Sequence, residues 1–287
     1  MAPLAGSGAT LAGMFFDAHL RGASLTDRDV ADIRFFGVAG ALSPLVDRGV
    51  AATAVELRRD WEGVVLSVKG LRRAGLGAFA ALSVPPGRIP ARGTEALLAE
   101  LPDLLSRRGV VAIGPVGPGS GTPREEELFS RQLEMARELR RPVMVSTPPR
   151  DPVRSTRRAI AALRESGIPP ERVLVDGADA RTVRILRSVG YCAVLSLSTG
   201  RGALDVAARL VRSLGPEGIA LASHAGDGVG DLLALPRAAD RMERIGLSDA
   251  VIRRVCGRNA LAALGLAPEE VRGAAAPIVR SARRTSR

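Results

Sequence analysis

Residues 172–222 read RVLVDGADARTVRILRSVGYCAVLSLSTGRGALDVAARLVRSLGPEGIALA. Three apolar runs of strand length, Arg172–Val175, Cys192–Leu197 and Gly218–Ala222, alternate with two longer stretches, Arg181–Ser188 and Leu204–Leu214, whose apolar residues recur at helical spacing. Gly190 and Gly215 stand where each helix should stop, because glycine accepts the left-handed conformation that ends a helix. Strand and helix alternating in this way are the sequence sign of βαβ units and a parallel sheet.

Working outward toward the N-terminus, five more apolar runs fit the same pattern: Leu11–Phe16, Val38–Leu42, Gly77–Val84, Val110–Ile113 and Pro142–Val145. Helical stretches include Thr26–Phe36, Glu125–Arg140 and Val153–Glu165, the first opened by Thr26 with Asp29 three residues on. Beyond the last strand, Leu232–Ile245 and Asp249–Leu264 read as two further helices, expected on the outside or the base of the sheet. Eight parallel strands predict closure into an α/β architecture, a (β/α)8 TIM barrel with extra C-terminal helices, spanning residues 11–266. Residues 1–10 are expected to be an N-terminal extension, and residues 267–287 a basic, disordered tail.

Composition narrows the function classes. At 287 residues and 46% hydrophobic the chain can bury a large core in one domain. It has no apolar run of membrane-spanning length and no secretory signal pattern, so a cytoplasmic location is expected. Cys192 and Cys256 are too few for a disulfide framework and read as buried, reduced thiols. The net charge of +11 invites a nucleic-acid reading, but Lys69 is the only lysine, many arginines stand beside acids as in RQLEMARELRR, and aromatic residues amount to 3%. Nucleic acid is therefore not the expected partner.

In a barrel of this kind chemistry gathers where strands end and the following loops begin. Those ends carry Asp17-Ala18-His19-Leu20-Arg21, Ser43-Pro44, Ser83-Val84-Pro85-Pro86, Gly114-Pro115, Ser146-Thr147, Asp176-Gly177, Ser198-Thr199 and Ser223-His224-Ala225-Gly226-Asp227. His19 and His224 are the only two histidines of the chain, and they lie at its first and last strand ends.

The order of these strand ends, with RNALAALGL near the C-terminus, resembles the TatD-like metal-dependent hydrolases of the amidohydrolase superfamily over most of Phe15–Leu266. The stretches EEELFSRQLEMARELRRPVMVSTPPRDP, SGIPPERVLVDGADARTVRILRSVGY and DLLALPRAADRMERIGLSDAVIRRVCGRNAL are especially similar to a TatD-related subgroup, some of whose members are encoded in bacterial gene clusters for specialised metabolites. The resemblance implies one or two divalent metals held by a His-x-His pair after the first strand, a glutamate after strand four, histidines ending strands five and six, and an aspartate after strand eight. Here Arg21 stands for the second histidine of the pair, Pro115 for the glutamate, Ser146 and Gly177 for the two later histidines, and His224 for the aspartate. Of that ligand set His19 alone keeps its place.

A catalytic zinc needs three protein ligands and an open position, so two imidazoles leave the site one short unless Asp17, Asp176 or Asp227 completes it. The leading expectation is thus a pseudo-hydrolase without a cofactor, a non-catalytic binding or assembly partner in a bacterial metabolic pathway, paired with another protein or with itself. The alternative is a hydrolase of phosphoester or amide bonds using one weakly bound zinc or manganese at His19 and His224. Arg21 is expected to take over the lost cation's charge by pairing with Asp17 or Asp176. Ser146, His224 and Asp176 also name the members of a nucleophile-base set. A small anionic ligand at the mouth would use Arg21 and Arg201, with Asp227 nearby, in the glycine-rich loops after strands seven and eight.

Overall fold

The computed structural model describes residues 15–47, 49–148, 150–198, 202–226 and 230–275. Its eight strands are β1 (Phe15–Asp17), β2 (Val38–Pro44), β3 (Gly77–Leu82), β4 (Val110–Val116), β5 (Val143–Ser146), β6 (Val173–Ala178), β7 (Cys192–Ser196) and β8 (Ile219–Ala222). They lie parallel, in chain order, in one sheet. The ends of that sheet meet: Ala18 N–H donates to Leu221 O (3.2 Å), His224 N–H to His19 O (2.9 Å) and Arg21 N–H to Ala225 O (2.8 Å). The predicted (β/α)8 barrel is therefore the fold, and every strand expected from an apolar run overlaps an observed one.

Helices α1 (Asp27–Phe35), α2 (Ala54–Arg73), α3 (Thr94–Ser106), α4 (Pro123–Glu138), α5 (Pro152–Ser166), α6 (Val183–Ser188) and α7 (Ala203–Leu214) follow β1 to β7 in turn. Thr26, Thr53 and Thr122 start α1, α2 and α4 with reciprocal capping boxes to Asp29, Glu56 and Glu125. One layer of core lies between the helices and the sheet, around Trp61, Leu97 and Leu163. A second fills the barrel interior with Phe16, Leu42, Phe79, Met144, Leu174 and Val194, as alternate residues of strands point inward. Cys192 and Cys256 are free and buried, and burial pushes the Cys192 thiol up to about 12.

The C-terminal segment closes the base. Helix α8 (Ala234–Arg244) packs beside α7, while α9 (Asp249–Arg253), a π-helical turn (Arg254–Arg258) and α10 (Asn259–Leu264) run under the barrel floor. Asn259 clips this segment to β8, its side-chain amide donating to Pro216 O (2.6 Å) and Ile219 O (2.7 Å). The expected tail boundary at 267 is corrected: Pro268–Ala274 form α11, whose Val271 is buried against the first residues of β2 and β3. A Cβ on Gly77 would stand 2.4 Å from Val271 O and 2.6 Å from Val271 Cγ1, so glycine is what lets this helix approach. The expected extension 1–10, the first four residues of the expected first strand and residues 276–287 lie outside the described residues.

Candidate functional site at the barrel mouth

Strands β1, β6 and β8 bring their C-terminal ends together, and with them three groups spread over more than 200 residues of sequence. His19 Nδ1 lies 2.8 Å from Asp176 Oδ2, and His224 Nε2 lies 3.1 Å from Asp176 Oδ1. The two imidazoles face each other with ring centroids 4.0 Å apart. His19 and Asp176 are buried, and His224 is nearly so. One donor atom from each of the three falls within 4.8 Å of the others.

The backbone is built to hold this arrangement. His224 sits at φ +52°, a left-handed conformation that costs a β-carbon residue about 1 kcal/mol, and its N–H is tied to His19 O. Asp17 works one layer out: its Oδ1 accepts from His19 N–H and from Ser223 N–H, both at 3.0 Å, and so staples the first strand end to the last. Burial raises the Asp17 carboxyl above its ordinary range against the pull of those bonds.

The charges order themselves around Asp176. Burial alone would raise its pKa, but the two imidazoles outweigh burial and hold it well below the usual carboxylate range. Burial opposes charge on His224 as well, yet the Asp176 charge and hydrogen bond prevail and its pKa is raised. His19, enclosed more fully, is driven down by burial. An ionised carboxylate only accepts, so Nδ1 of a neutral His19 donates to it and Nε2 carries a bare lone pair. That Nε2 is buried and has no hydrogen-bond partner among the described residues.

Several sequence expectations are revised by this geometry. Arg21 forms no ion pair with Asp17 or Asp176 among the described residues; His19 and His224 occupy Asp176 instead, and Arg21 Nε is buried without a partner. Its charge still reaches the site, opposing protonation of His224. Ser146 lies beside Asp176 in the β5–β6 register, but no hydrogen bond joins it to His224 among the described residues, so the nucleophile-base set is not assembled. Arg201 and Asp227 lie outside the described residues. Ser223 was not singled out by sequence, although its place one residue before His224 is the only hint it gives.

No protein-family model matches the chain. An uncharacterised metal-dependent hydrolase of Methanocaldococcus jannaschii is 25% identical over 245 residues, covering 85% of this chain and 97% of that protein. A TatD-like protein from Archaeoglobus fulgidus superposes with a TM-score of 0.72 at 20% identity, over 88% of this chain and 100% of that one. The fold is that of the TatD-like barrels. A TatD homologue from Escherichia coli k12 (TM-score 0.63, 19% identity, 88% of this chain and 99% of that one) shares the fold. So does the Escherichia coli phosphotriesterase homology protein, solved with phosphate in its active site (TM-score 0.65, 16% identity, 88% of this chain and 98% of that one).

Set against the two-metal arrangement that the resemblance implies, the mouth has donors on one side only among the described residues. Gly114-Pro115 in β4 and Gly177 in β6 offer no side-chain ligand, and a bridging carboxylate between two ions has no counterpart there. A pair of ions does not fit these residues. A single ion does fit the donor chemistry of His19, Asp176 and His224, two imidazoles and a carboxylate.

Proposed function

We propose that this TatD-like barrel no longer performs two-metal hydrolysis and acts as a non-catalytic binding or assembly partner. The observation that carries the reading is the engagement of Asp176 by both imidazoles. The carboxylate is neutralised inside the protein, and the site forms a closed, nearly charge-balanced unit rather than an open set of ligands. The Arg21 side chain beside it adds a fixed positive charge at a place where the resemblance implies a histidine ligand, which suits an anionic guest better than a second cation. The test is elemental analysis of protein purified without chelator, with phosphodiesterase and amidase assays in added manganese or zinc. Substoichiometric metal and no turnover are expected. About one equivalent of metal with turnover abolished by His19→Ala and by His224→Ala would overturn the reading.

A second reading rests on the bare, buried Nε2 of His19. In it His19, Asp176 and His224 would hold one zinc or manganese ion, which would supply Lewis acidity toward a phosphoester or amide. The residues themselves would orient that ion, and His224 would have to give up the proton that Asp176 stabilises.

A further inference from the structure

We propose that the opposite end of the barrel holds an anion site, made by Arg72, Arg108 and Arg141, that takes a small phosphorylated ligand. These arginines line a cavity of about 440 Å³ under the barrel floor, between the start of β4 and α11. That volume lies in the range of small-molecule sites. Two of the guanidinium groups are fixed in advance by carbonyls. Arg72 donates from Nε to Ala78 O (2.7 Å) and lies 4.9 Å over the Phe79 ring, while Arg141 donates from Nη2 to Leu105 O (2.7 Å) and from Nη1 to Val110 O (3.4 Å).

Carbonyls orient a guanidinium without cancelling its charge, unlike the carboxylate partners of Arg58, Arg88 and Arg131. Neither Arg72 nor Arg141 has a carboxylate partner among the described residues, and Arg108 is exposed with no ion pair among them. Glu270, the acid among the lining residues, accepts a hydrogen bond from Ala267 N–H (2.7 Å) to cap its own helix and pairs with none of these arginines among the described residues. Burial, and after it the charge of Arg108, presses against the Arg72 cation. Gly109 makes the crowding feasible, since a Cβ there would stand 2.8 Å from Arg72 Nη1. Preorganised, uncompensated guanidinium groups match the charge and fork geometry of phosphate oxygens.

Calorimetric titration of the full chain with inorganic pyrophosphate tests the site. Saturable one-to-one binding is expected, weakened about tenfold by Arg108→Gln and about tenfold by Arg72→Gln. Arg108 has no internal partner to lose, so its variant keeps the wild-type melting temperature even if Arg72→Gln loosens the fold. Arg184→Gln, an exposed arginine outside the cavity lining, and deletion of residues 276–287 should leave the affinity unchanged. Three outcomes overturn the proposal: no saturable binding, loss of binding with Arg184→Gln but not with Arg108→Gln, or loss on deleting 276–287 with Arg108→Gln without effect.

Discussion

The two sides of the barrel mouth differ. On the side of β1, β6 and β8, Asp17, His19, Asp176, Ser223 and His224 form one connected polar web. On the side of β4 and β5, Gly114-Pro115 and Ser146 contribute no side-chain hydrogen bond to that web among the described residues. The web lies on the seam where the first strand meets the last. His19 O, Asp17 Oδ1 and Ala225 O are acceptors for the bonds that close the cylinder there. Polar residues on that side therefore have a structural task whether or not a reaction takes place, whereas a ligand on β4 or β5 has only its metal to serve. Donors on one side of the mouth and few on the other is an arrangement that this division of labour permits.

The harshest way to break the comparison is Asp176→Asn. It keeps the volume but removes the charge that both imidazoles share, leaving a buried cation uncompensated, and a loss of about 3 kcal/mol of stability is expected. Chemical denaturation with an unchanged m-value would measure it. A loss below about 0.5 kcal/mol, the scale of an ordinary surface substitution, would show that the web is incidental to the seam.

How much of this could be read from sequence follows the physics of each feature. Buried parallel strands are continuous apolar runs bounded by glycine, so all eight were visible, with Gly114-Pro115 hiding the last residues of β4 because that pair reads as a break. Helices α2 and α3 were not among the stretches singled out, although Thr53 and Glu56 spell the capping box that begins α2. His19, Asp176 and His224 were each suspected from their places at strand ends. Their contact was not legible, because 157 residues separate His19 from Asp176 and 48 separate Asp176 from His224, and only barrel closure makes them neighbours. Arg21 was misassigned for the same reason: sequence showed a cation and a carboxylate near one axis, but not that two imidazoles already held the carboxylate.

A gentler perturbation uses pH on chelator-treated protein, comparing wild type with His224→Ala. The folded-state pKa of His224 is raised, by Asp176 against the opposition of burial, so the folded chain holds this proton more tightly than the unfolded one. Its contribution is present in full below about pH 6.5, the unfolded value, and is lost as pH rises through the raised folded value. Asp176, with its pKa depressed, contributes above about pH 3.8 and fades as pH falls through its lowered value. The stability difference between wild type and variant should thus be largest near pH 5–6 and shrink toward pH 9. A difference flat in pH would mean that His224 acts by packing alone.

The smallest effect is expected on the other side of the mouth. Ser146 is next to Asp176 in register, yet its hydroxyl has no hydrogen-bond partner among the described residues and His224 Nε2 is already committed to Asp176. An activated serine needs its base within hydrogen-bond reach, so this one has nothing to take its proton. Ser146→Ala should therefore shift stability by no more than about 0.5 kcal/mol, and the wild-type protein should not react with a fluorophosphonate probe. Labelling that disappears in Ser146→Ala would move the chemistry to the side of the mouth that the geometry leaves idle, and the contrast between the two sides would have to be drawn the other way.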